Sequence, residues 1–525
     1  MALSASSPLL IPHTSRPPKP LTFGLPKPHL VVPPHREVMI KGSLQGSFLP
    51  GANPATAFSR FTASATSGEE ETVTKKDYVP IYVMLPLGVV NSNCEVADPD
   101  TLIKDLKLLK SIGIDGVMVD IWWGIVEPKP LDYNWTGYKN LFEIIKRLNL
   151  KLQVVMSFHK CGGNVGDDVT IPLPSWIREV GANNPDIFFT DKHGNRNTEC
   201  LSWGIDLERV LRGRTALQVY YDFMASFRAE MDSFFEDDLI SEIEIGMGPC
   251  GELRFPSYPM EFGWTFPGIG EFECYDRYLM DKLRIAARET GQPSWGNAPN
   301  DEWSYNSVPQ DTDFFCDGGE YDGFYGRFFL GWYSGVLVEH ANHVLHVAKL
   351  AFHGSSLAVK VSGVHWLYKT RSHAAELTTG FYNPSNRDGY SVITKMLKMN
   401  DVALNFTCVE LVTANQPPEA LSDPEALVWQ VLNTAWDAGI EISSENALPC
   451  YSRDGFEKIL KIAKPLDDPR GRHLRSFTYL RLSSDLFEKN NWSEFKRFVK
   501  KMHNDRFVRE GVYKKEEENE DDLVG

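Results

Sequence analysis

Residues 241–247, SEIEIGM, place isoleucine and glutamate at alternate positions, the two-residue period of a strand with different faces. Comparable β-rich runs recur at 79–87, 115–123, 152–159, 357–366, 402–408, 439–448 and 475–482, making eight in all. Between them lie stretches such as TLIKDLKLLKSI, YKNLFEIIKRL and PEALVWQVLNTAWDA, several with apolar residues at i, i+3 and i+4. Strand–helix alternation predicts a parallel sheet. Eight such units predict an α/β fold, a closed (β/α)8 TIM barrel, with a doubly wound open sheet as the alternative. The repeating part is longer than a minimal barrel. The excess falls in long loops after the third and fourth strands.

Composition narrows the field. With 525 residues, 42% of them hydrophobic, the chain can bury a large core. It has no apolar run of 18 residues, so no membrane span is expected. A net charge of −16 argues against nucleic acid as a partner and favours a neutral substrate. Residues 1–68 differ from the rest: six Lys/Arg against the single acid Glu37 make them formally +5, leaving −21 elsewhere. Rich in Ser, Pro and Thr, residues 1–77 are expected to be an organelle transit peptide, with a plain disordered tail as the alternative. The domain is expected over 78–505, and 506–525 as an acidic disordered tail. The eight cysteines are scattered with no CxxC, and buried free thiols are the plainer reading than a metal cluster.

A barrel of this kind carries its chemistry at the C-terminal ends of its strands. In or near those positions stand Asp120, His159, Glu252, Lys360 with His365, Thr407, Glu445 and Arg481, with Trp122, Trp123 and Trp366 close by. Glu252 and Glu445 belong to the fourth and seventh strands. Paired carboxylates across a barrel mouth are what glycoside hydrolysis needs: one protonates the leaving oxygen, the other attacks the sugar or activates water. The proton donor is expected in an apolar pocket or beside another negative charge. The stiff Gly–Pro surroundings of Glu252 in GPCGELRFPSYP suit a fixed donor. The glycine-rich HKCGGNVGDDVTIPLP (159–174) has no phosphate-binding pattern and is expected to form a lid that includes Asp167. His159 and Cys161 alone make no metal motif.

Ten segments in order, among them GVMVDIWWGIVE, HKCGGNVGD, GPCGELRFPSYP, KVSGVHWLYK, LNFTC, ENALP and FTYLRL, resemble the plant β-amylases from about residue 78 to about residue 505. The resemblance implies a plastid-stroma exo-hydrolase of starch α-1,4 bonds that releases β-maltose with inversion. It implies Glu252 as general acid and Glu445 as general base. It also implies Asp120, His159, Asp167, Lys360, His365, Thr407, Asn446, Ala447 and Arg481 as glucan contacts, with no metal or organic cofactor. Starch or maltooligosaccharide is the expected partner, and a monomer the simplest assembly. The chain departs from the pattern at Lys160, usually Gln and here able to pair with Asp167 or another nearby carboxylate. Further departures are Ser444, usually Gly, Glu273, usually Gln, and the inner loop ELVTANQPP. Lys160, Ser444 and the altered inner loop motivate an alternative: a weakly active or non-catalytic glucan-binding regulator. A barrel enzyme acting on a phosphorylated substrate is a third possibility, with no phosphate motif behind it.

Overall fold

In the computed structural model the barrel closes from eight parallel strands: β1 Ile81–Met84, β2 Gly116–Trp122, β3 Lys151–Ser157, β4 Ile240–Ile245, β5 Leu357–Val361, β6 Ala403–Phe406, β7 Ile442–Glu445 and β8 Ser476–Tyr479. Each pairs with the next, and β8 returns to β1. The structure describes residues 78–503 except 163–166, 168, 301, 387 and 467. The proposed transit peptide, the acidic tail and the centre of the glycine-rich loop therefore lie outside the described residues.

A helix follows every strand, and several begin at residues chosen for the task. Asp98 caps Pro99–Ser111 by accepting from Thr101 N–H, with Pro99 at the first helical position. Asp423 and Pro424 repeat the device for Pro424–Ala438, which ends at Gly439 in the left-handed region. Thr215 and Gln218 form a reciprocal capping box on Ala216–Glu230. The β2 strand, GVMVDIW, is buried along its whole length, as expected when helices cover the outer face and side chains fill the inner one.

The interior departs from the branched aliphatic filling common in such barrels. Its apolar part is a small cluster of Met84, Met118 and Val155, with Leu480 packed on it. Many of the other inward positions are polar. Thr478 Oγ1 donates to Gln153 Oε1 at 3.1 Å, and Gln153 Nε2 donates to Glu242 Oε1 at 3.2 Å. Glu242 and Glu244 are buried, as are Ile243 and Ile245, which alternate with them along β4.

The excess after β3 and β4 holds structure where the sequence suggests loops. After β3 come the helix Ser175–Asn183 and an antiparallel ribbon, Phe188–Thr190 with Arg196–Leu201. After β4 comes the helix Arg277–Glu289, whose N-cap Asp276 accepts from Tyr278 and Leu279 N–H. The ribbon escapes a periodicity search because its strands are short, and the turn residues Asp-Lys-His-Gly-Asn were its available signal.

Candidate active site

The acid-bearing turn begins where β4 ends. Cys250 and Gly251 both have positive φ, +54° and +75°, so the chain reverses through a left-handed pair. Two short bonds close the reversal, Gly251 N–H to Gly248 carbonyl and Glu252 N–H to Pro249 carbonyl, each 3.0 Å. Leu253 N–H then donates to the Lys360 carbonyl at 2.8 Å, tying the turn to β5. The turn is thus fixed by backbone bonds on both sides of Glu252.

The Glu252 environment differs from the expected apolar or anionic pocket. Arg254 Nε donates to Glu252 Oε2 at 2.5 Å, and the guanidinium lies 4.1 Å from the centre of the Tyr258 ring. Arg254 is buried. Burial works against its charge, but Tyr258 and Glu252 more than offset this and hold it above the ordinary arginine range.

Glu445 ends β7 and is buried. Lys360 Nζ stands 2.9 Å from Glu445 Oε1 and 3.3 Å from Glu244 Oε1, while Asn405 Nδ2 donates to Glu244 Oε2 at 2.6 Å and to Glu445 Oε2 at 3.3 Å. Burial by itself would depress the Lys360 ammonium, and the two carboxylates raise it above the usual lysine range. Burial also lifts the Glu244 carboxyl; Lys360 opposes that rise and Glu445 adds to it.

Around this centre, Arg481 Nη1 donates to Asp120 Oδ2 at 3.3 Å and to the Leu85 carbonyl at 2.6 Å, and Ser157 Oγ donates to Asp120 Oδ1 at 3.1 Å. His159 is buried beside Trp122, ring centroids 5.1 Å apart. Burial holds its imidazole down at about 4, against the pull of Asp120. Its buried Nδ1 has no hydrogen-bond partner among the described residues. Thr407 Oγ1 accepts from Gly363 N–H at 2.9 Å. Asn446 spans β7 and β8: Leu480 N–H donates to its Oδ1 at 2.8 Å, and its Nδ2 donates to the Leu480 carbonyl. Ala447 is exposed at the mouth, its N–H bound to Glu410 Oε1 at 2.9 Å.

His365 and Asp167 complete the predicted set. His365 pairs with Ser422 Oγ at 2.6 Å, and burial holds its ring near 4. It borders an aromatic wall in which Trp366 packs on Tyr258, Trp264 and Phe266 at centroid distances of 5.1, 5.5 and 5.9 Å. Asp167, on the glycine-rich loop, accepts from Gly162 N–H at 2.9 Å. Trp123, grouped by sequence with the mouth aromatics, instead turns into the helix layer, where its indole N–H meets Glu127 Oε2 at 2.6 Å.

Comparison with known proteins agrees with this architecture. The model of glycosyl hydrolase family 14 matches residues 82–506. The chain is 64% identical over 429 residues to "Beta-amylase 2, chloroplastic" of Arabidopsis thaliana, covering 81% of this chain and 79% of that protein. It is 49% identical over 437 residues to the Glycine max β-amylase, covering 82% and 88%. The crystal structure of the catalytic domain of β-amylase from Paenibacillus polymyxa superposes with a TM-score of 0.67 at 31% identity, covering 82% of this chain and 99% of that one. The chain belongs to glycosyl hydrolase family 14.

In this family 14 chain the departures now have addresses. Lys160 Nζ reaches Glu261 Oε2 at 3.1 Å, one of the nearby carboxylates open to it. Ser444 is buried in β7 and its hydroxyl has no hydrogen-bond partner among the described residues. In the altered inner loop Thr413 is anchored at the next helix: Oγ1 donates to Asp423 Oδ1 at 2.7 Å and N–H to Glu425 Oε2 at 2.9 Å. Glu244, Asn405, Arg254 and Glu410 were not singled out by sequence. A signal existed for Glu244, a charged residue on the inward parity of a buried strand, and for Arg254, within the stretch around Glu252.

Proposed function

We propose that the protein acts as a β-amylase in starch degradation, cleaving α-1,4-glucosidic bonds from non-reducing ends and releasing β-maltose. Glu252 gives its proton to the glycosidic oxygen as the C1–O bond breaks. Glu445 takes a proton from a water that attacks C1 from the opposite face, which inverts the anomeric carbon. Lys360 supplies the counter-charge beside Glu445. Asp120, Arg481, His159, Asp167, His365, Thr407, Asn446 and Ala447 hold sugar hydroxyls, and the ring faces around Trp366 pack on glucose units.

One observation supports this reading above the others. Lys360 links both acids, its side chain on Glu445 at 2.9 Å and its carbonyl on the amide following Glu252 at 2.8 Å. The acids are thereby referenced to one strand. The name of the Arabidopsis thaliana relative supports a plastid location, for which we propose the stroma, and the protein is proposed to work as a monomer. The groups named act on a glucan with no metal or organic cofactor. Among the described residues no helix is long and apolar enough to cross a membrane, and no His/Cys/Asp/Glu group is arranged to hold a metal ion.

The test is maltose release from soluble starch by the folded protein beside Glu252→Gln. Loss of the proton donor is expected to lower the rate by about 10²–10⁴-fold. A folded native protein that releases no maltose refutes the reading.

A further inference from the structure

The turn carrying Glu252 holds opposed demands. A proton donor must stay protonated, yet Arg254 stands 2.5 Å away, and a buried cation favours the ionised carboxylate. A second acid meets the same turn from behind. Glu199, on the ribbon strand Arg196–Leu201, accepts from Cys250 N–H at 2.9 Å through Oε1. That oxygen is 3.8 Å from Cys250 Sγ, and the same sulfur lies 3.7 Å from Arg254 Nη2. Glu199 thus meets the Cys250 thiol that also touches Arg254. Its own place is fixed, since Glu199 N–H donates to Asn197 Oδ1 at 3.0 Å and its carbonyl accepts from Lys160 N–H at 2.6 Å.

The charged and titratable groups around the acid come from several elements. Arg254, Tyr258 and Cys250 belong to its own turn, Glu199 to the ribbon and Cys408 to the segment after β6. Asp167 acts on the turn from the glycine-rich loop, and His159 faces Arg254 from beyond β3. Glu199 is hydrogen-bonded to the turn itself.

We propose that Glu199 is a positioning residue for the catalytic acid: it fixes the Cys250 amide and shares the charge of Arg254, the guanidinium that also binds Glu252. The proposal rests on the assignment of Glu252 as general acid. Through its carbonyl bond to Lys160, Glu199 also joins the stem of the glycine-rich loop to the acid-bearing turn.

The test is the pH profile of kcat/KM on soluble starch for the native protein, Glu199→Gln, Glu199→Asp and Glu252→Gln. The Gln variant keeps an oxygen to accept the Cys250 N–H and loses only the charge. Its alkaline limb is expected to move down by about one pH unit, with the acid limb, KM and melting temperature unchanged. Glu199→Asp keeps the charge and is expected to retain the native limb. A Gln profile that superposes on the native one overturns the proposal. So does an unshifted limb with a lowered melting temperature, which marks Glu199 as structural, or an Asp variant shifted as far as Gln. Glu252→Gln separates the two claims: if it is active, the acid assignment falls and the proposal with it. If it is inactive while Glu199→Gln matches the native protein, the role of Glu199 alone is refuted.

Discussion

Lys360 joins two buried carboxylates in one ion-pair cluster. Buried between Glu244 and Glu445, it neutralises two carboxylates that would otherwise lack a cation at hydrogen-bond distance. Removing one partner of a buried ion pair typically costs about 3–5 kcal/mol, because the remaining charge cannot regain water. Lys360→Met is therefore expected to lower stability by about that amount and to abolish starch hydrolysis, as read by urea unfolding and maltose release. Glu410 makes a prediction of different sign. It accepts the Ala447 and Leu448 N–H groups at 2.9 and 2.8 Å, yet burial pushes its carboxyl from 4.5 up to about 7. The folded protein then holds a proton that the unfolded chain releases, so stability falls as pH rises from about 4.5 to about 7 and is flat above. Glu410→Gln keeps an acceptor for both amides and removes this slope. Its stability relative to the native protein is expected to improve, by up to about 3 kcal/mol, between about pH 5 and about pH 8 in parallel denaturant titrations.

At the scale of elements, the insertions act as the mould for the mouth. The ribbon after β3 presents Glu199 to the acid-bearing turn, and Asp191 beyond its first strand joins a buried acidic group with Glu271 and Glu273. Tyr305 donates to Glu273 Oε1 at 2.7 Å and meets Asp191 Oδ2 at 3.0 Å, while Lys192 Nζ stands 3.8 Å from Glu271. Burial drives the Glu273 carboxyl far up and Glu271 to about 7. Glu273→Gln keeps the acceptor for Tyr305 and removes an acid whose charge has no room there. The melting temperature is expected to rise by a few degrees, more at about pH 8 than at about pH 6. Asn446, by contrast, clips the ends of β7 and β8 through paired backbone bonds. Asn446→Ala is expected to cost about 1–3 kcal/mol in thermal unfolding, since both Leu480 groups lose their partner. These elements divide by legibility. The eight barrel strands stood out because each is a run of β-forming residues between helical patterns. The ribbon and the helix Arg277–Glu289 did not, because short pairs and an isolated cap leave little periodic signal.

For the whole molecule, chemistry and closure depend on each other. The turn after β4 and the end of β7 lie at the same end of the barrel because all eight strands are parallel and β8 returns to pair with β1. The inverting reading then predicts β-maltose as first product, with the β-anomer signal appearing before mutarotation in a proton NMR time course; initial α-maltose would refute it. The repeating pattern of strands and helices was set by the chain itself, because period and propensity are local properties of neighbouring residues. So was the candidacy of Glu252 and Glu445, since polar side chains at strand ends stand out against an apolar background. The tertiary structure alone decided that Lys360 serves two carboxylates and that Glu199 reaches the acid-bearing turn from a ribbon. Those outcomes depend on distances between residues far apart in the chain, and charges tens or hundreds of positions apart act on one another only once folding removes the water between them.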